Sequence, residues 1–163
     1  LCDRIILVKV DNIKNKNVNE IVLDLPADLG ANIGVMKKGC ERISGSYIFT
    51  EIPDSLENAV IVVVKRGDGT KPGSAYSITL TKEATVYLFV ANTGAPVIPN
   101  NWTLTELKAT WGTFAATDKI YQCKAAAGIL EIPAHNGCKG SSFGIPNACV
   151  IVPIAEAKDT NNK

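Results

Sequence analysis

Five cysteines, a single histidine and a scatter of carboxylates are the residues of this chain able to do chemistry, and their spacing decides what chemistry that is. Gly140-Ser141-Ser142-Phe143-Gly144 satisfies the GxSxG pattern, which would place Ser142 as a nucleophile on a tight turn between a strand and a helix. That role needs a helix after the serine, then an acid and a histidine further along. Here His135 precedes Ser142 and too little chain follows, so the stretch reads as a Gly/Ser loop. His135, Cys138 and Cys149 offer three zinc-type ligands without a fourth at a usual spacing, so no metal or cofactor is expected. Glycosidic cleavage needs two carboxylates facing each other across a cleft. Glu51, Asp54, Glu57, Glu106 and Glu131 are available, but nothing in their spacing selects a pair. No catalytic residue is expected, and the chain reads as a non-enzyme.

Binding is the better expectation. Sugars stack on flat aromatic faces, and Trp combines an apolar body with a polar N–H. Trp102, at the exit of the Pro/Asn loop 92–101, is the best candidate for a ligand contact, with Asn100, Asn101 and Asp68 as hydrogen-bonding neighbours if their loops meet at one end of the fold; the alternative is that Trp102 and Trp111 are both buried core anchors. Arg66-Gly67-Asp68, in the Gly- and Pro-containing loop 66–73, matches the short RGD sequence that cell-adhesion receptors recognise. Asn101-Trp102-Thr103 is an N-x-T sequon, which makes Asn101 a candidate glycosylation site. The run Asn12, Asn15, Asn17, Asn19 lacks the spaced carboxylates of a calcium loop and reads as a turn.

The cysteines bear on compartment. None is arranged as CxxC, and disulfides in a secreted domain account for them best. The expected pairs are Cys138 with Cys149, closing the Gly/Ser loop, and Cys2 with Cys40, tying down the N-terminal segment. Cys123 is then the odd thiol, buried in a strand or paired between chains. The alternative is an intracellular protein with five reduced thiols. Seventeen basic and sixteen acidic residues leave a net charge of +1, without the basic stripe of a nucleic-acid binder. No apolar run approaches the roughly 20 residues of a membrane-crossing helix, and the chain reads as soluble. It begins at Leu1 rather than Met, consistent with a processed or cut terminus.

These residues must be positioned by strands. Residues 74–91 carry two runs of period-two alternation, Tyr76, Ile78, Leu80 and then Val86, Leu88, Val90, separated by Thr81-Lys82-Glu83, which predicts a hairpin. Residues 59–65 are apolar without alternation, which predicts a central strand covered on both faces. Further strands are predicted at 4–11, 20–25, 32–37, 46–52, 104–110, 118–124, 128–132 and 148–154, with 128–132 returning beside 118–124 through Ala125-Ala126-Ala127. Asp54 is expected to cap one helical turn. The sum is an all-β fold: an antiparallel, jelly-roll-like β-sandwich of about ten strands, in a single domain over 1–155 with a polar tail at 156–163.

From residue 46 onward the order of features resembles a β-sandwich accessory domain of secreted polysaccharide-degrading enzymes and other extracellular matrix-associated proteins. The residues that carry it are Tyr47-Ile48-Phe49 leading to Ile52-Pro53 and Leu56, the strand at 59–64, the Asp68 loop, Ile78 to Val90, the Pro-Asn-Asn-Trp loop 99–102, and Ala127-Gly128-Ile129-Leu130 with Asn136. Residues 1–42 and the cysteines lie outside the pattern. The resemblance implies a non-catalytic, extracellular module whose partner is a glycan or a matrix glycoprotein. A structural subunit that self-assembles through strand edges or an interchain Cys123 bridge is the alternative.

Overall fold

The computed structural model describes residues 21–23, 25–137 and 144–154. The predicted strand at 4–11, the Asn-rich turn, Cys2, Cys138, Ser142 and the tail at 156–163 lie outside them. Eleven strands are described: β1 Val22–Leu23, β2 Asn32–Val35, β3 Glu41–Ile43, β4 Tyr47–Glu51, β5 Val60–Val63, β6 Tyr76–Leu80, β7 Ala84–Ala91, β8 Thr103–Trp111, β9 Ala116–Ala125, β10 Gly128–Ile132 and β11 Ala148–Pro153. All pairings are antiparallel. Two single 3-10 turns are described, at Ala27–Leu29 and Asp54–Leu56. The second follows Pro53 and has no side-chain cap, so Asp54 does not do the capping expected of it.

The strands form an eight-stranded sheet in the order β2-β5-β11-β7-β9-β8-β4-β3 and a three-stranded sheet in the order β1-β6-β10. The large sheet rolls up until β3, at one edge, returns to β5 near the other, where Ser44 N–H donates to Val64 O at 3.0 Å. Inside the roll lies one apolar core, built on Phe49, Ile61, Val63, Phe89, Trp111, Ile120 and Val150. The second core lies between the outside of the roll and the small sheet, and contains Val62, Tyr76, Ile78, Leu80, Val86, Leu88, Trp102 and Ile132. β5 contributes to both cores and is buried at every position, which is why its sequence is continuously apolar.

Two expected hairpins are instead corners. β6 pairs with β1 and β10, whereas β7 pairs with β9 and β11, so at Thr81-Lys82-Glu83 the chain steps from one sheet to the other. Likewise β10 pairs with β6 and not with β9, so the chain changes sheet again between Ala125 and Gly128, whose φ is +121°. The physical reason is shared. Two strands that face each other across a core show the same inward alternation as two strands side by side in one sheet, and their apolar pattern satisfies either arrangement. β3 was not anticipated: its three residues sit between the left-handed glycines Gly39 (φ +93°) and Gly45 (φ +74°), and the turn signals outweigh so short a strand.

Candidate functional site

The inner core holds a charge. Arg42, on β3, is fully buried and reaches across the roll to Asp118 on β9, with Nε 2.8 Å from Oδ2 and Nη2 3.2 Å from Oδ1. The same guanidinium donates to Pro146 O (2.9 Å) and Phe89 O (3.2 Å). Asp118 also accepts from the Trp111 indole N–H at 3.0 Å, and the Arg42 guanidinium carbon stands 5.1 Å from the centroid of the Trp111 ring. No side-chain nitrogen or oxygen of Arg42, Asp118 or Trp111 is left buried without a hydrogen-bond partner, the condition under which a buried ion pair is tolerated. Its consequence is positional, because Trp111 is fixed both by its N–H and by its face.

On Trp111 rest two more rings. Tyr47 and Phe114 lie with centroids 5.6 Å from it, and 5.4 Å from each other, all tilted or edge-to-face. Phe114 belongs to the turn between β8 and β9 and is 57% exposed. That turn needs Gly112 at φ +79°, where a Cβ would stand 3.0 Å from the Phe114 ring, and it holds Ala115 at φ +56°. Together with Arg66, Ala91, Thr93, Ala116 and Ile145 the three rings line a recess of about 440 Å³ at this end of the roll. Its walls are aromatic with few polar groups, and a recess of this volume has room for a small molecule.

The backbone that carries Arg66 is locked. Gly67 N–H donates to Gly144 O (2.8 Å) and Gly144 N–H to Lys71 O (2.7 Å). A Cβ on Gly144 (φ +81°) would meet Gly67 O at 2.7 Å, and one on Gly73 would meet Ile145 O at 2.2 Å. Asp68, in the same loop, turns its carboxylate back on Thr70, accepting from the backbone N–H (2.8 Å) and the hydroxyl (2.7 Å). Those bonds hold its pKa below the usual Asp value. The RGD triplet is therefore an exposed but tied-down loop whose acid is engaged internally.

The residues expected to form one ligand site are not brought together. Trp102 is 5% exposed and belongs to the core between the sheets, because the turn that returns its N–H to Pro99 O (3.1 Å) points the indole inward. It offers no face for stacking. Asn100 and Asn101 are exposed beside it, and Asn101 shares a shallow depression with Thr85, Thr103, Gln122 and Lys124 at the start of β7. Arg66 and the Asp68 loop lie at the other end of that strand, near Ala91. The Pro/Asn loop itself is held by Asn136, whose amide accepts from Val97 N–H (2.8 Å) and donates to Val97 O (3.2 Å). The sequon is accessible at both Asn101 and Thr103.

Cys40, Cys123 and Cys149 are free thiols. For the pairs expected at Cys2–Cys40 and Cys138–Cys149 the described partner is thus unbridged, and the other partner lies outside the described residues. Cys149 is fully buried in β11, with its sulfur 4.0 Å from the Tyr76 hydroxyl, which donates to Asn147 O at 2.8 Å. Burial pushes the Cys149 thiol up to about 12 and raises Cys40, Cys123 and the Tyr76 hydroxyl too. Cys123 is buried in β9 on the same face as Cys149, but two strands away and two residues out of register with it (opposite Val86, where Cys149 is opposite Leu88), beyond disulfide reach. A thiol held so far into the neutral form is no nucleophile at ordinary pH.

His135 is buried and donates from Nε2 to Ala91 O at 2.8 Å. Among the described residues no group of three or more His, Cys, Asp or Glu could hold a metal ion. Glu57, Glu106 and Glu131 are exposed on separate elements, and Glu51 is engaged with Lys38 at 3.6 Å. No helix among the described residues is long and apolar enough to cross a membrane.

In the sequence Tyr47 and Asp118 enter only as strand residues and Arg42 and Phe114 are not singled out; their separation hides that they belong together. The available signal was slight: Trp111-Gly112-Thr113-Phe114 puts two aromatics around a glycine turn.

No protein-family model and no curated protein matches the chain. A solved structure described as a β-glucuronidase from glycoside hydrolase family 2 is similar to it in fold, with a TM-score of 0.63 at 14% identity over 77% of this chain. The matched part is 14% of that enzyme's chain. The likeness shows the fold alone, a β-sandwich.

Proposed function

We propose that this protein is a non-enzymatic, extracellular carbohydrate-binding module, and that its binding surface is the aromatic recess at the β8–β9 turn rather than the Trp102 loop. The observation that carries the reading is the exposed Phe114 ring braced edge-on against Tyr47 and Trp111, with Arg66 and Thr93 as polar neighbours. A rigid aromatic of this kind stacks on the apolar face of a sugar at little entropic cost. The fold shared with part of a glycoside hydrolase supports the same class of ligand. Affinity electrophoresis through gels containing soluble polysaccharides tests it. Retardation that Phe114→Ala abolishes and Trp102→Phe leaves unchanged supports the reading; retardation indifferent to Phe114 refutes it.

Self-assembly through a strand edge has one observation in its favour. β10 pairs only with β6 among the described residues, and it carries Ile129 at 76% exposure. Light scattering across a concentration series separates this reading, since an oligomer dispersed by Ile129→Lys supports it and a monomer at every concentration refutes it.

A further inference from the structure

One side chain holds the middle of the Pro/Asn loop. Residues 94–98 make no backbone hydrogen bond with any described residue, and Val97 itself is 72% exposed. Among the described residues their hydrogen bonds are the two from Asn136, whose Oδ1 accepts from Val97 N–H at 2.8 Å and whose Nδ2 donates to Val97 O at 3.2 Å. The next residue lies against the same loop: a Cβ on Gly137 would stand 2.3 Å from Pro96 N, so only glycine fits there. Asn136 is exposed, and Asn136-Gly137 is the chain's one Asn-Gly pair. Such a pair carries a reaction of its own, because a glycine puts no side chain in the way of its backbone nitrogen.

From this arrangement we infer that Asn136 is a deamidation site restrained by its own clamp on Val97, and that its conversion releases the Pro/Asn loop irreversibly. In the step, the Gly137 backbone nitrogen loses its proton to hydroxide and attacks Asn136 Cγ. A Cγ–N bond forms, the Cγ–Nδ2 bond breaks, and Nδ2 leaves as ammonia with a proton taken from water. Water then opens the cyclic imide at either carbonyl, and residue 136 becomes aspartate or isoaspartate. Ring closure makes Cγ tetrahedral and expels Nδ2, which the two bonds to Val97 oppose. The product cannot take hold again: a carboxylate has no N–H to give, so Val97 O loses its donor and faces a negative oxygen. The loop carries Thr93 onto the recess wall at its start and leads into the buried Trp102 at its end. The inference is independent of what the recess binds.

The test is incubation of the full chain at mildly alkaline pH in water enriched in heavy oxygen, both folded and in urea, with the label located by peptide mass mapping. The tryptic peptide 125–139 contains no asparagine but Asn136, so label in it is assigned without ambiguity. In urea Asn136 should convert before the other asparagines. In the folded protein it should still convert, but about tenfold more slowly, the restraint that two hydrogen bonds of ordinary net strength impose. The converted fraction, separated by its added negative charge, should exchange the amides of residues 94–98 about tenfold faster than fresh protein. Asn136→Asp should reproduce that exchange without incubation, and Asn136→Gln should take up no label over the same interval. Position 136 is exposed, and the aged native protein gives the same readout if either variant fails to fold. Equal rates in the folded protein and in urea overturn the restraint. Conversion in urea with none in the folded protein, or another asparagine converting first in urea, overturns the site. Converted protein whose residues 94–98 exchange as before overturns the release of the loop.

Discussion

Replacing Arg42 by Met removes the charge but keeps the aliphatic stem, and it exposes how much the rolled sheet depends on that one side chain. In the native protein the guanidinium makes four hydrogen bonds, two to Asp118 and one each to Pro146 O and Phe89 O. After substitution Asp118 retains only the Trp111 N–H, and its buried carboxylate loses its countercharge. Breaking a buried pair from one side costs about 3–5 kcal/mol, against a total stability of about 5–15 kcal/mol for a domain. Asp118→Asn, which preserves shape and the acceptor for Trp111, should cost a similar amount because it strands the Arg42 charge instead. The double variant buries no charge, so its cost should fall short of the sum of the singles by about 2–3 kcal/mol. Urea titration followed by tryptophan fluorescence measures all three, since Trp111 sits on the pair and Trp102 reports the other core. Additive costs in the double variant, or a single Arg42→Met cost below about 1 kcal/mol, would refute the view that this pair closes the roll.

Gly73→Ala should destabilise by about 3 kcal/mol or abolish folding, because its Cβ would stand 2.2 Å from Ile145 O, a backbone atom that cannot step aside; a melting scan checks it. Iodoacetamide at pH 8 should label Cys40 well before Cys149 in the folded protein, and urea should abolish the difference, as read by peptide mass mapping. Cys149 also predicts an alkaline loss of stability. Its pKa is raised by burial from 9.0 to about 12, so the unfolded chain loses that proton first and stability falls between those values, by up to about 1.4 kcal/mol per pH unit. Below pH 9 the contribution is constant. Tyr76, raised well above 10.0 by the same burial, adds to the upper part of the fall, so Cys149→Ala should reduce the slope between pH 9 and 10 while leaving some above it.

What was legible in the sequence is what local pattern can encode. The alternation of β6 and β7 and the unbroken apolar run of β5 located those strands, and the turn glycines marked most of their ends. Partnership was not legible, because Val86 and Ile78 present the same alternation whether their strands lie side by side or face each other across a core. The polar stretch 81–83 suits a hairpin turn and a corner equally. Trp102 could be read either as a ligand contact or as a core anchor for a related reason: a Pro/Asn loop signals exposure of backbone, and says nothing of which way one large side chain leaves it. Arg42 was illegible altogether. A lone arginine between turn residues reads as surface, and its partner Asp118 lies 76 positions away.

The recess shows why the missing part of the reading was also the part on which the proposed binding surface depends. Its walls come from the start of β4, the loop after β5, the end of β7, the β8–β9 turn and the segment before β11, five places that only closure of the roll assembles. Arg42 is the group that spans that closure, joining β3 to β9, to Phe89 on β7 and to Pro146 before β11. An apolar pair of similar volume would fill the same space and, in general, cost no stability. It would not seize the Trp111 ring by face and N–H at once, and Trp111 is the ring on which Tyr47 and Phe114 both lean. The buried ion pair is thus better understood as the device that sets the orientation of an aromatic platform than as a source of stability.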